Sequence, residues 1–152
     1  MIIGIDVGTK NAGIAILNDA GELSYSKQLR FTGSLNKRLG ELYRAVWRTV
    51  GVDDAVFIER PPYVQNARTH AVLHQAVGTV LAALAFSDAV RELTPAEIKA
   101  AFTGNGKATK AQVQQVVKMQ FGIDAGEDEA DAIATAWAGY CKLREEALDA
   151  DE

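Results

Sequence analysis

The alternation of apolar and polar positions predicts strands first and helices later. Met1–Val7 is a short β-rich run that ends at Asp6, and Ala12–Leu17 is a second. Gly8-Thr9-Lys10-Asn11 between them carries turn chemistry, so the two runs read as a hairpin. Asn18-Asp19-Ala20-Gly21 is another turn and leads to a third strand around Leu23–Phe31. After Gly33-Ser34 the period changes. Leu35, Leu39, Leu42, Val46 and Val50 form a helical stripe, with Lys37, Arg38, Arg44 and Arg48 largely off it. Val56-Phe57-Ile58 is a continuous apolar run, as in a strand covered on both faces. It ends in Glu59, and Pro61-Pro62 stops further pairing.

Asn66 to Ser87 reads as a helix rich in Ala, Val and Leu with Gly78 inside, buried on most sides by the sheet or by a second subunit. Ala89–Leu93 is a fifth strand candidate. Thr94-Pro95-Ala96-Glu97 starts a helix, with Thr94 as N-cap, Pro95 in the first turn and Glu97 closing a capping box. Gly104-Asn105-Gly106 breaks the chain, a helix follows from about Thr109 to Phe121, and a last one runs from about Gly126 into the tail. Three consecutive strands followed by alternating helix and strand imply an α/β fold with a mixed five-stranded sheet flanked by helices. A single domain is expected over residues 1–148, with an acidic tail at 149–152.

Composition narrows the class. The chain has 152 residues, of which 48% are hydrophobic and 24% charged, the balance of a folded globular domain. One cysteine, Cys141, excludes an internal disulfide and suits a reducing compartment. The opening MIIGIDVG lacks the basic start of a signal peptide, and the longest apolar run, Ala76 to Phe86, is too short to span a bilayer. A soluble, cytoplasmic protein without membrane contact is expected. The net charge of −4 counts mildly against a nucleic-acid partner, but its distribution changes the picture. Residues 27–68 carry eight Lys/Arg against four acids, and residues 91–120 five against two. The last 32 residues hold ten acids against two bases. Acidity is concentrated at one end and two middle segments are basic, so the net charge does not exclude a DNA-binding face.

Four acids stand where packing explains them poorly. Asp6 and Glu59 each terminate a hydrophobic strand, and Asp128 and Asp131 are neighbours on one face of a helix. Each has a structural alternative: a turn-capping Asp, a solvated strand end, and acids favoured by the dipole of a helix's first turn. The last explains Asp131 least, because it lies among Ala and Ile. Taken together, four carboxylates suit two Mg²⁺ ions, which take oxygen ligands and need that much negative charge beside them. His70 and His74 are four apart without further zinc-type ligands nearby, and read as helix-surface or interface residues.

At these residues the chain resembles the RuvC-type Holliday junction resolvases of the RNase H-like superfamily. Three blocks carry the resemblance: Gly4-Ile5-Asp6-Val7-Gly8 with Gly13; Ile58-Glu59 with Asn66 and the Ala/Gly-rich helix; and Thr94 to Val113 followed by Asp128 to Ala134. The stretch from Leu93 to Lys99, leading to Thr103–Lys110, is the most specific. The resemblance implies a Mg²⁺- or Mn²⁺-dependent endonuclease that cuts four-way DNA junctions. Asp6, Glu59, Asp128 and Asp131 would hold two ions and do the chemistry, with Lys99 and Lys110 near the scissile phosphate. Lys107 and Lys110 have a simpler reading as solvated helix-start residues. Family members commonly place a junction-wedging aromatic three residues after the strand-end glutamate. Here that position is Pro62, and the adjacent Tyr63 is the candidate stacking residue. Arg60 and Arg68 flank the loop as phosphate-holding candidates, with Asn66 and Lys107 also assigned to DNA.

Resolution of a junction needs two opposed nicks, so a homodimer is expected. The Asn66–Ser87 helix is the candidate patch, through Ala71, Val72, Ala76, Val77, Val80, Leu81 and Leu84. Two other functions stay open: a nuclease of broader branched-DNA or RNA specificity, and a non-catalytic junction-binding protein on the same fold.

Overall fold

A computed structural model describes residues 1–150. The elements run β1 (Ile2–Asp6), β2 (Asn11–Leu17), β3 (Leu23–Arg30), α1 (Leu35–Thr49), β4 (Ala55–Glu59), α2 (Ala67–Ala83), β5 (Val90–Leu93), α3 (Pro95–Thr103), α4 (Lys110–Phe121) and α5 (Glu127–Ala150). The strands form one mixed sheet in the order β3-β2-β1-β4-β5. The first three pair antiparallel through tight turns, whereas β4 lies parallel to β1 and β5 parallel to β4. Parallel pairing follows from the long connections through α1 and α2. The expected five-stranded mixed sheet is therefore present. Of the expected acidic tail, residues 149 and 150 continue α5, and 151–152 lie outside the described residues.

Strand alternation sends successive side chains to two separate cores. Ile3, Ile5, Val56 and Ile58 pack against Leu42 and Val46 of α1 and against Ala76 and Val80 of α2. Ile2, Leu17 and Phe57 face the other way, onto α5 and the α3–α4 pair. Both faces of the central strands are thus covered, which is why β4 reads as an uninterrupted apolar run. Helix starts follow the sequence signals: Thr94 and Thr109 each form a full capping box, with Glu97 and Gln112. Gly104 ends α3 in the left-handed region at φ 77°, where a side chain would strain the backbone.

One close approach positions the site. A Cβ at Gly13 would collide with the backbone carbonyl of Asp128, and one at Gly4 with the backbone of Ala132 and Ala136. The two glycines let α5 lie directly on β1 and β2, so the start of α5 arrives beside the end of β1.

Helix α2 is shorter than the 66–87 span expected. Asn66 caps it by accepting from the Thr69 N–H at 3.0 Å, and the helix stops at Ala83. Ala76, Val77, Val80 and Leu84 are buried in the chain's own core, whereas Ala71 and Leu81 face outward. A sheet face covered by only two helices takes a full stripe from each. The patch assigned to a partner is correspondingly narrower than the sequence implied.

Candidate active site

Register brings the first two acids together. Parallel pairing matches Ile5 with Ile58, so Asp6 and Glu59 follow one another on neighbouring strands at the same sheet edge. They share parity with Phe57, and therefore point towards α5. Asp128 and Asp131 arrive there from the first turns of α5, held close by Gly13. All four carboxylates line one cleft of about 310 Å³, together with Asn11, Lys99 and Lys110. Lys99 comes from α3 and Lys110 from the first turn of α4. Another hollow, of about 440 Å³, lies by Met1 and Ile2 at the opposite end of the strands and does not touch the acids.

The electrostatics are those of crowded anions. Burial, then the charges of Asp131, Glu59 and Asp128, hold the Asp6 carboxyl well above its ordinary value of 3.8, and Lys110 opposes them. Burial and Asp131 likewise raise Glu59, with Lys99 and Lys110 in opposition. Asp131 is raised by burial, which the Lys110 charge partly offsets. Burial would depress the Lys110 ammonium, but Asp131, Glu127 and Asp6 together hold it above its ordinary range. Its Nζ lies 3.3 Å from Glu127 and 3.6 Å from Asp131. Lys110 is thus anchored to the acid cluster and is not a freely solvated helix-start residue.

This pattern bears on the alternatives. Burial and three neighbouring carboxylates raise Asp6, whereas the N–H bonds accepted by a turn cap would lower it. Asp131 sits beyond the first turn with its side chain 19% exposed, too enclosed for a solvated dipole partner. The donors are all carboxylate oxygens, a set that fits a hard divalent cation such as Mg²⁺ or Mn²⁺. Among the described residues no three such side chains close on one point.

The remaining sequence candidates are more dispersed. Arg60 pairs with Glu92 at 3.5 Å, and Lys107 is exposed on a turn where its N–H donates to Asn105 Oδ1. Neither lines the cleft. Tyr63 is 85% exposed, its ring 6.1 Å from that of His70, while Pro62 lines the cleft itself. The Asn66 amide oxygen is committed to capping α2. Arg68 lines a neighbouring groove with Lys10 and Arg38. Sequence reasoning passed over Asn11 and Glu127: the first was assigned to a turn and the second to the helix dipole. No local signal distinguishes these roles.

The family described as Crossover junction endodeoxyribonuclease RuvC matches residues 2–138. The chain belongs to the RuvC family. Crossover junction endodeoxyribonuclease RuvC of Alkalilimnicola ehrlichii is 34% identical, the match covering 98% of this chain and 94% of that protein. The RuvC of Carboxydothermus hydrogenoformans is 32% identical, with 93% and 96% covered. In fold the chain is similar to T. thermophilus RuvC in complex with Holliday junction substrate, with a TM-score of 0.79 at 23% identity over 95% of this chain and 94% of that one. The RuvC, RNase H-like expectation for the fold holds. RuvC-family proteins are metal-dependent endodeoxyribonucleases, and the match spans β1, β4 and the start of α5, the three elements that carry the acids. Among the described residues no helix is long and apolar enough to cross a membrane.

Proposed function

We propose that the chain is a cytoplasmic endonuclease that resolves four-way DNA junctions as a homodimer, through Asp6, Glu59, Asp128 and Asp131. The observation that carries this reading is the convergence of four carboxylates and two lysines in one cleft of a RuvC-family fold. The four acids would hold two Mg²⁺ or Mn²⁺ ions, which when bound supply activation of the attacking water and stabilisation of the leaving 3′ oxygen. The chain's own contribution is placement. Asp6 and Glu59 are fixed by rigid paired strands, and Asp128 and Asp131 by a helix pressed against them. Lys110 and Lys99 supply positive charge where an additional negative charge develops on the phosphate. Arg60, Arg68, Lys107 and Asn66, which do not line the cleft, would serve as contacts to the DNA backbone beyond it.

The deciding assay compares cutting of a synthetic four-way junction, a linear duplex and an RNA–DNA hybrid, with Mg²⁺ or EDTA. Metal-dependent, symmetrical cutting of the junction alone is the expected result. Equal cutting of the other substrates would make the protein a broader nuclease, and junction binding without cutting a non-catalytic one.

Two substitutions refine the roles. Lys110→Ala should slow junction cutting by roughly 10²-fold while changing junction affinity little, since its charge matters most in the transition state. Single-turnover rates beside equilibrium binding check this, and equal losses in both would make Lys110 a simple DNA contact. Tyr63 is available to a base because its ring is almost wholly exposed. Tyr63→Ala should lower the ratio of junction to duplex affinity by the worth of one stacked base, about 1–3 kcal/mol. An unchanged ratio would remove the stacking role.

A further inference from the structure

Beside the acid cleft runs a second groove, of about 550 Å³, whose lining includes Thr9, Lys10, Arg38, Arg68, Thr69 and Leu73. Three elements build it: the turn after β1, the first turn of α1 and the first two turns of α2. Leu73 is common to groove and cleft, and Gly8 on the cleft wall is followed directly by Thr9 and Lys10 on the groove wall. The two are therefore contiguous, with opposite charge. The groove's lining includes three cations and no carboxylate.

Among the described residues Lys10, Arg38 and Arg68 form no ion pair. Neither α1 nor α2 has an acid in its first turn, so the positive ends of both helix dipoles add to the cations. Arg38 Nε is buried and has no hydrogen-bond partner, an arrangement seen at no other buried side-chain atom among the described residues. Arg38 also lines the groove, and a guanidinium matches the paired oxygens of a phosphate.

We propose that this groove seats a backbone phosphate of a DNA arm, away from the phosphate that is cut. The inference rests on the junction-cutting reading above and adds Lys10 and Arg38 to the residues that bind the substrate. A strand whose scissile phosphate lies over the acids carries further phosphates on either side, and this groove is the cationic surface that adjoins the cleft. Arg38 orients the phosphate, Lys10 and Arg68 add charge, and the Thr9 and Thr69 hydroxyls supply neutral donors. Such a contact fixes the register of the duplex and reads no sequence.

The test is the salt dependence of binding to a synthetic four-way junction and to linear duplex, by fluorescence anisotropy in EDTA. Each neutralised phosphate contact should reduce the slope of log affinity against log salt by about 1. Lys10→Ala and Arg38→Gln should each lower the slope on the junction, and the double variant should lower it by about 1, the share of the single phosphate seated. Lys10 is exposed, so its variant keeps the test valid even where Arg38→Gln perturbs folding. A Lys10→Ala slope equal to wild type, in protein that still cuts junctions, would overturn the groove and leave the junction-cutting reading intact. Wild-type protein that neither binds nor cuts junctions would overturn both.

Discussion

The Asp6→Asn protein should bind four-way junctions and fail to cut them, with a loss of roughly 10³-fold or more in single-turnover rate. Asp6 is the innermost of the four acids. It faces Glu59 across paired strands, and Asp131, Glu59 and Asp128 all contribute to its raised pKa. Removing its charge takes away a share of the potential that would hold divalent ions, without touching the basic surfaces proposed to meet the DNA backbone. A second readout is independent of activity. The raised pKa means that folding in the absence of metal stabilises the protonated form of Asp6. Between the ordinary value of 3.8 and the raised one, the native protein binds more protons than the unfolded chain, so metal-free stability falls as pH rises through that window. Glu59 and Asp131 act in the same sense. Above the window the penalty is fully present. Asp6→Asn should therefore be more stable than wild type at neutral pH in EDTA, and the difference should shrink as pH falls towards 3.8. Glu97 is held low by its hydrogen bonds to Thr94, and Glu146 by Arg91. Both are exposed and cancel in the comparison. Urea titrations of the two proteins across pH check the sign. A variant that cuts at the wild-type rate would remove Asp6 from the chemistry, and one less stable than wild type at neutral pH would refute the repulsion.

Leu81→Glu should leave the fold intact, give a monomer of 16.3 kDa by light scattering, and abolish paired nicking. The choice of residue comes from the packing of α2. Val80 is fully buried in the chain's own core, so a charge there would unfold the monomer and report nothing about assembly. Leu81, one residue on, is 41% exposed. It belongs to an outer stripe with Ala71, His74, Gly78, Ala82 and Ala85, and a Cβ at Gly78 would meet nothing within 4 Å. Small residues on such a stripe allow two copies of the helix to approach closely about a two-fold axis. Two sites related by that axis would place one nick on each of two opposed strands. A cruciform plasmid separates the outcomes, since paired nicks linearise it and single nicks leave an open circle. Wild-type protein that is monomeric and still linearises the plasmid would end the dimer proposal.

The extent to which these features were legible in the chain follows from their range. Thr94, Pro95 and Glu97 announce the start of α3 because a capping box is satisfied within four residues. The strand-terminal acids Asp6 and Glu59 stand out because a charged group after an apolar strand conflicts with its own neighbourhood. The apolar run Val56-Phe57-Ile58 likewise announces cover on both faces. Local chemistry and hydrophobic period thus determined most of the elements and the α/β class, and singled out the four acids as candidates. Other features depend on residues far apart in sequence. Arg68 was visible as a cation near a loop, but its grouping with Lys10 and Arg38 required α1 and α2 to pack side by side. Which half of α2 faces outward was undetermined, because Val80 and Leu81 are equally apolar and only the position of the sheet separates them. For Lys110 the sequence left two readings open, a lysine near the scissile phosphate and a solvated helix start, and the fold puts its ammonium beside Glu127 and Asp131. The sequence by itself determined what each segment is and which groups carry charge. Only the tertiary structure decided which charges meet, because Coulomb and contact energies depend on distance in space and the chain encodes that distance only through its packing.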